Sequence, residues 1–158
     1  MQLKSFIVLL GVALLSSCSS SPTDRVMEDM LRSNEAEFNQ LVSMFKEDAS
    51  LWEVNREFAK SSWDTKAILP SRRMEEYRRL LTRLNLIDVG RGERSGNTYL
   101  KAWHRGAFPF GGSTKFYVYA ESQPDRIVDS IDRIERGGQD ASVFMKVKDN
   151  WYLHLDVW

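Results

Sequence analysis

Val143-Phe144-Met145-Lys146-Val147-Lys148-Asp149-Asn150-Trp151-Tyr152-Leu153-His154-Leu155 is two alternating runs set around a polar break. Val143, Met145 and Val147 alternate with polar or aromatic neighbours, and so do Trp151, Leu153 and Leu155. A period of two over a short run marks a strand with one buried face. The two runs therefore predict an antiparallel hairpin, and its register follows from which face must stay apolar. A two-residue turn at Asp149-Asn150 sets Lys148 against Trp151 and carries lysine onto the apolar face. A three-residue loop, Lys148-Asp149-Asn150, sets Val147 against Trp151 and Met145 against Leu153. It also places Asn150 at a left-handed position that Asn tolerates. The three-residue loop is the expectation.

Upstream of the hairpin, Ser122-Gln123-Pro124-Asp125 has the pattern of a helix start, with Ile127, Ile131 and Ile134 as the buried stripe and Gly137-Gly138 as the stop. Before it, Leu86–Gly90, Thr98–Arg105 and Thr114–Glu121 read as strands. The turns are Gly-rich residues 90–97 and Pro109-Phe110-Gly111-Gly112. Two helices precede these strands. One is predicted over 24–48 with Asp24 as N-cap and Met27, Met30, Leu31, Phe38, Leu41 and Phe45 as its stripe. The other starts with Ser71 as cap and uses Met74, Tyr77, Leu80, Leu81 and Leu84. Residues 51–70 have no clear period and predict an irregular or partly extended stretch wrapped on the core. The order α-α-β-β-β-α-β-β is α+β: a mostly antiparallel sheet with helices packed on one face. A nuclear-transport-factor-like cone is the alternative arrangement.

The first 18 residues read differently. Lys4 is the only charge before Asp24, and Phe6–Leu15 is an apolar run too short to span a bilayer, which takes about 20 residues. Such a start is a secretory signal peptide. Leu15-Ser16-Ser17-Cys18 resembles the lipobox of bacterial lipoproteins. That resemblance implies diacylglycerol on the Cys18 thiol, cleavage before Cys18 and acylation of the new amino group. Residues 1–17 are then removed, 18–23 form a lipidated tether, and 24–158 form a single α+β domain. Cys18 is the only Cys in the chain, so no disulfide competes for it. Two or more acyl chains make a stable anchor where one does not. Ser19 stands where an Asp retains enteric lipoproteins at the inner membrane, which directs this chain to the outer membrane, periplasmic face. A tether of about five residues reaches at most about 17 Å, which sets the domain, its first helix foremost, close to the bilayer. Glu76-Tyr77-Arg78 and Asn150-Trp151-Tyr152-Leu153 resemble small proteobacterial lipoproteins of uncharacterised activity, which adds location and no chemistry.

Charge and composition exclude some functions. Of 22 basic and 22 acidic side chains, only Lys4 is lost with the signal peptide, so nucleic acid is not an expected partner. The aromatic content of 11% with five Trp describes a packed domain. His104 and His154 are the only histidines, both in predicted strands, where they read as packing residues. A hydrolase using His104 or His154 as base, or a metal site that adds Asp156, is the functional alternative. Gly90–Gly96 resembles a phosphate-cradling loop, but a strand follows it, so it reads as a hairpin loop. Arg72, Arg73, Arg78, Arg79, Arg83, Arg91 and Arg94 could meet anionic head groups. With Glu75, Glu76 and Glu93 among them, they read as a mixed-charge face. No metal and no cofactor is implied.

One feature points to a partner. With Val143, Met145, Leu153 and Leu155 facing the helices, Phe144, Tyr152, His154 and Trp158 face away. Tyr117 and Tyr119 share a face with Lys115 and are read as outward too. An aromatic outer face is a candidate contact surface, unless residues 51–70 cover it. The expectation is a membrane-anchored, non-enzymatic module of the cell envelope that binds an envelope protein or a cell-wall component. An immunity or inhibitor role against an exported toxin fits its size and placement.

Overall fold

The structure, a computed structural model, describes residues 20–62, 65–92, 95–106, 111–137 and 140–158. The expected signal peptide, Cys18 and Ser19 lie outside those residues, as do Trp63, Glu93, Arg94, Pro109, Phe110 and Gly138. The elements are α1 (Asp24–Ser33), α2 (Glu35–Glu47), β1 (Glu53–Asn55), β2 (Ala59–Lys60), β3 (Lys66–Ala67), α3 (Ser71–Arg83), β4 (Asp88–Arg91), β5 (Thr98–Gly106), β6 (Gly112–Tyr119), α4 (Ile131–Gly137), β7 (Ala141–Lys148) and β8 (Trp151–Val157). All eight strands join one antiparallel sheet in the order β3-β2-β1-β4-β5-β6-β8-β7. The α+β class holds, with three short strands added. No helix among the described residues is long and apolar enough to cross a membrane.

All four helices put their buried side chains into one apolar core on one side of the sheet. Met27 and Leu31 come from α1, Phe38, Leu41 and Phe45 from α2, Tyr77, Leu80 and Leu81 from α3, and Ile131 from α4. The sheet answers with Val54, Val89, Leu100, Tyr117, Leu153, Leu155, Val143 and Met145. Phe38 sits at the centre, its ring 4.7 Å from Tyr117 and 5.7 Å from Trp151. These edge and tilted contacts suit the aromatic quadrupole.

The single helix expected over 24–48 is two. Asn34 ends α1 by donating from Nδ2 to the Met30 carbonyl at 2.9 Å, a local side-chain bond that competes with helix continuation. Thr23, not Asp24, caps α1, its Oγ1 accepting from the Val26 N–H. Asp24 instead serves α4, where Oδ2 accepts from Ser130 Oγ at 2.7 Å and from the Asp132 N–H at 3.3 Å. Ser71 is the first residue of α3 rather than its cap; Pro70 occupies the cap position with no side-chain bond.

The described residues of 51–70 are partly extended and pack Leu51, Val54 and Ala59 into the core, as expected, and add none to the aromatic cluster on the far face of the sheet. They extend it as β1–β3, and Asn55 Oδ1 turns the β1–β2 hairpin by accepting from the Glu57 and Phe58 N–H groups. The helix expected from Ser122 begins only at Ile131. Val128 donates to the Phe144 carbonyl at 2.8 Å and Phe144 donates to the Arg126 carbonyl at 3.1 Å, forming a parallel bridge of Ile127 with Phe144 on the open edge of β7. Pairing an edge satisfies backbone groups that one more helical turn would not reach.

The closing hairpin also differs from its expected register. Lys148 lies opposite Trp151 across a two-residue turn, which refutes the three-residue loop. Asp149, not Asn150, takes the positive φ of 36°. Met145 still faces Leu153 because the register shifts between Lys146 and Lys148, leaving Val147 as a bulge. The lysine on the inner face is not stranded there, since its Nζ meets Glu35 at 2.8 Å.

Candidate functional site

The helices leave the other face of the sheet to a second, separate cluster: Val118, Ala120 and Tyr152, with Tyr99, Phe116 and Phe144 packed against them. None of the described helices contributes a residue to it. The β6–β8 register pairs Phe116 with His154 and Val118 with Tyr152, and the β7–β8 register pairs Phe144 with His154. Four rings therefore cross four adjacent strands. Tyr99 on β5 meets Phe116 on β6 at 5.7 Å edge to face. Phe116 stacks on His154 of β8 at 5.4 Å, and His154 stacks on Phe144 of β7 at 4.3 Å. Phe116–His154 and Phe144–His154 are direct cross-strand pairs and Tyr99–Phe116 a diagonal one, and such pairs stabilise a face.

His154 is the centre of the ladder and is 6% exposed. Burial drives its pKa down to about 4, so the ring is neutral at pH 7. Its Nε2 lies 3.0 Å from Ser142 Oγ, while Nδ1 is buried without a hydrogen-bond partner. Asp156 bonds Ser142 rather than the imidazole, and burial raises its pKa. A serine beside a histidine is two of the three members of a nucleophilic triad, and among the described residues no third group meets Nδ1 to orient the ring. His104 stands apart. Its Nδ1 pairs with Thr114 Oγ1 at 2.9 Å, and its ring stacks on Trp158 at 5.6 Å. Among the described residues no group of three or more His, Cys, Asp or Glu is placed to hold a metal.

Next to the ladder, toward β1 and β4, the same face holds a cleft of about 250 Å³. Tyr99 and Phe116 line it together with Glu53, Asp88 and Lys101, and Gly90 leaves its floor open. Two carboxylates, Glu53 and Asp88, and two cations, Arg91 and Lys101, line it; Lys101 Nζ meets Asp88 at 2.6 Å, Lys60 Nζ from beside the cleft meets Glu53 at 3.7 Å, and the Arg91 guanidinium lies over the Phe45 ring. Burial raises the Asp88 pKa, opposed by Lys101. The cleft thus offers ring faces, acceptors and donors with no net charge.

The predicted contact residues divide between the two faces. Phe144, Tyr152, His154 and Trp158 lie on the helix-free side, as expected. Tyr152 and His154 are buried there, at 3% and 6%, so they underlie the surface rather than form it. Tyr117 and Tyr119 are corrected: both point to the helices, Tyr117 buried against Phe38 and Tyr119 packed edge-on to Trp151 beneath Lys46. Tyr99 and Phe116 take their place. The signal for Phe116 was present in the alternation of β6 once Tyr117 is set inward; Lys115 concealed it. Four of the seven arginines meet acidic side chains, Arg72 on Glu76, Arg73 on Glu47 and Asp48, Arg78 on Glu75 and Arg83 on Glu37; Arg91 lies over the Phe45 ring, and Arg94 lies outside the described residues.

Compared with family models, curated proteins and solved structures, the chain matches none.

Proposed function

We propose that this protein is an outer-membrane lipoprotein, anchored through Cys18 on the periplasmic side, whose folded domain is a non-enzymatic binding module for a cell-wall glycan. The observation that carries the reading is the aromatic ladder and its neighbouring cleft on the sheet face that the helices leave open. Sugar rings present apolar C–H faces and neutral hydroxyls. Tyr99 and Phe116 offer surface to the first, and Glu53, Asp88 and Lys101 offer hydrogen bonds to the second. Because each carboxylate in the cleft already has a lysine partner, a neutral, hydroxyl-rich ligand is favoured over a charged one. The lipobox supports placement beside the cell wall. The unsupported Nδ1 and depressed pKa of His154 favour binding over hydrolysis with Ser142 as nucleophile.

Sedimentation of the full lipoprotein, in mild detergent, with purified peptidoglycan sacculi tests this. Wild-type protein co-sediments. Phe116→Leu and Glu53→Ala, each with an unchanged circular dichroism spectrum, lose most of the bound fraction. Sedimentation that neither substitution weakens, or none by the wild type, overturns the glycan reading. A protein cross-linked specifically through this face would then be the occupant.

A further inference from the structure

Lys115, midway along β6, is fully buried, and it ties down residues 21–24. Its Nζ meets Asp132 Oδ1 at 2.7 Å, Glu135 Oε2 at 2.9 Å and the Pro22 carbonyl at 2.8 Å. Ser21 Oγ donates to the same Glu135 carboxylate at 2.9 Å, and the Asp24 N–H donates to Asp132 Oδ2 at 3.0 Å. Residues 21–24 are thus bonded to α4 and β6 rather than swinging as a linker. The tether that the sequence implies shrinks to the two peptide units between Cys18 and Ser20, which span about 7 Å at most.

Glu135 also borders an open cavity of about 380 Å³ at that end of the sheet, with Arg105, Gly111, Gly112, Ser113 and Trp158. Arg105 is exposed and has no hydrogen-bond or ion-pair partner among the described residues. Trp158 is 39% exposed, and its ring lies along Gly112, where a Cβ would come within 2.9 Å of Cζ2. Backbone bonds at 2.8 and 3.1 Å between Gly112 and Trp158 fix the chain's last residue there. An exposed tryptophan and an exposed arginine are side chains that settle at the boundary between head groups and acyl chains.

We propose that this end of the sheet, through Arg105 and Trp158, rests on the phospholipid head groups of the bilayer that holds the anchor, with Arg105 on a lipid phosphate. The inference rests on the reading of Cys18 as lipidated. The geometry fits it once that reading is granted, since Ser21 is bonded to Glu135 at this cavity and a lipid held within about 7 Å of Ser20 keeps this end of the domain near the membrane. It also replaces the first helix with the sheet end as the membrane-facing part.

The full lipoprotein, reconstituted in vesicles of phosphatidylethanolamine and phosphatidylglycerol, supplies the test. With Cys18 acylated, Arg105→Cys or Glu121→Cys provides the only free thiol for a nitroxide label. Glu121 lies just past the opposite end of β6. The label at 105 should show several-fold lower collision with an aqueous nickel chelate than the label at 121. Brominated lipid should also quench a component of tryptophan emission that Trp158→Phe lacks. Equal accessibility at both labels, or equal quenching in both proteins, with the acyl group present by mass, overturns the membrane-facing end. An absent acyl group instead overturns the reading of Cys18.

Discussion

Lowering the pH from 7 to 5 isolates the cost of charging His154. An imidazole in the unfolded chain titrates near 6.5, while burial holds the folded His154 near 4. The folded value is depressed, so the native state prefers the neutral ring and the unfolded chain takes up the proton first. The stability this confers is full above about pH 6.5 and is lost as pH falls toward 4. At about 1.4 kcal/mol per unit, the loss is about 2 kcal/mol at pH 5 and about 3 kcal/mol at pH 4. Other groups titrate in the same window. Burial raises the pKa of Asp88 and Asp156, which act with the opposite sign, and Lys115 helps lower that of Asp132. The informative quantity is therefore the difference from His154→Phe, which keeps a ring between Phe116 and Phe144 and removes the buried Nδ1 that has no partner. Urea unfolding should show the wild type losing about 2 kcal/mol more than the variant between pH 7 and pH 5. Parallel losses in the two proteins would refute the claim that burial of a neutral His154 sets this part of the pH profile.

Lys115→Met leaves Asp132 and Glu135 facing each other without their cation and should cost about 3–5 kcal/mol in urea unfolding. In the same variant, amide exchange over residues 21–24 should quicken relative to the β8 strand, because the bond to the Pro22 carbonyl is gone. Tyr77→Phe removes a 2.7 Å hydrogen bond to Asp48, whose Oδ2 retains Arg73 at 2.8 Å, so a modest loss of about 1–2 kcal/mol is expected. A loss above the Lys115 value would show that Tyr77 holds α3 on α2 by more than that bond.

The fold class was legible because period and burial agree in the long elements. Met74, Tyr77, Leu80 and Leu81 are buried as their spacing requires, and so are Trp151, Leu153 and Leu155. What the sequence hid was set by contacts distant in the chain. Ile127 carries a helical spacing with Ile131 and Ile134, yet the open edge of β7 takes it as a bridge partner. The three short strands after Leu51 have almost no period of their own and depend on β4 for pairing. Lys148 was kept off the apolar face because an unpaired lysine there would be costly; Glu35, more than a hundred residues away, removes that cost. Lys115 misled for the same reason. It made the face of Tyr117 and Tyr119 look solvated, although Asp132 and Glu135 neutralise it in the core. One buried lysine with its two carboxylates therefore reversed the reading of β6 and hid Phe116 from the candidate surface. The ladder partners Phe144 and His154 were found because the apolar alternation of β8 needed no such compensation.

The intact mass of the protein recovered from the membrane fraction tests the central claim most directly. The expected mass is that of a chain that begins at Cys18 and carries a diacylglyceryl group, with Cys18→Ser abolishing both the added mass and the membrane recovery. An unmodified chain that still contains residues 1–17, or acyl mass retained by Cys18→Ser, would contradict it.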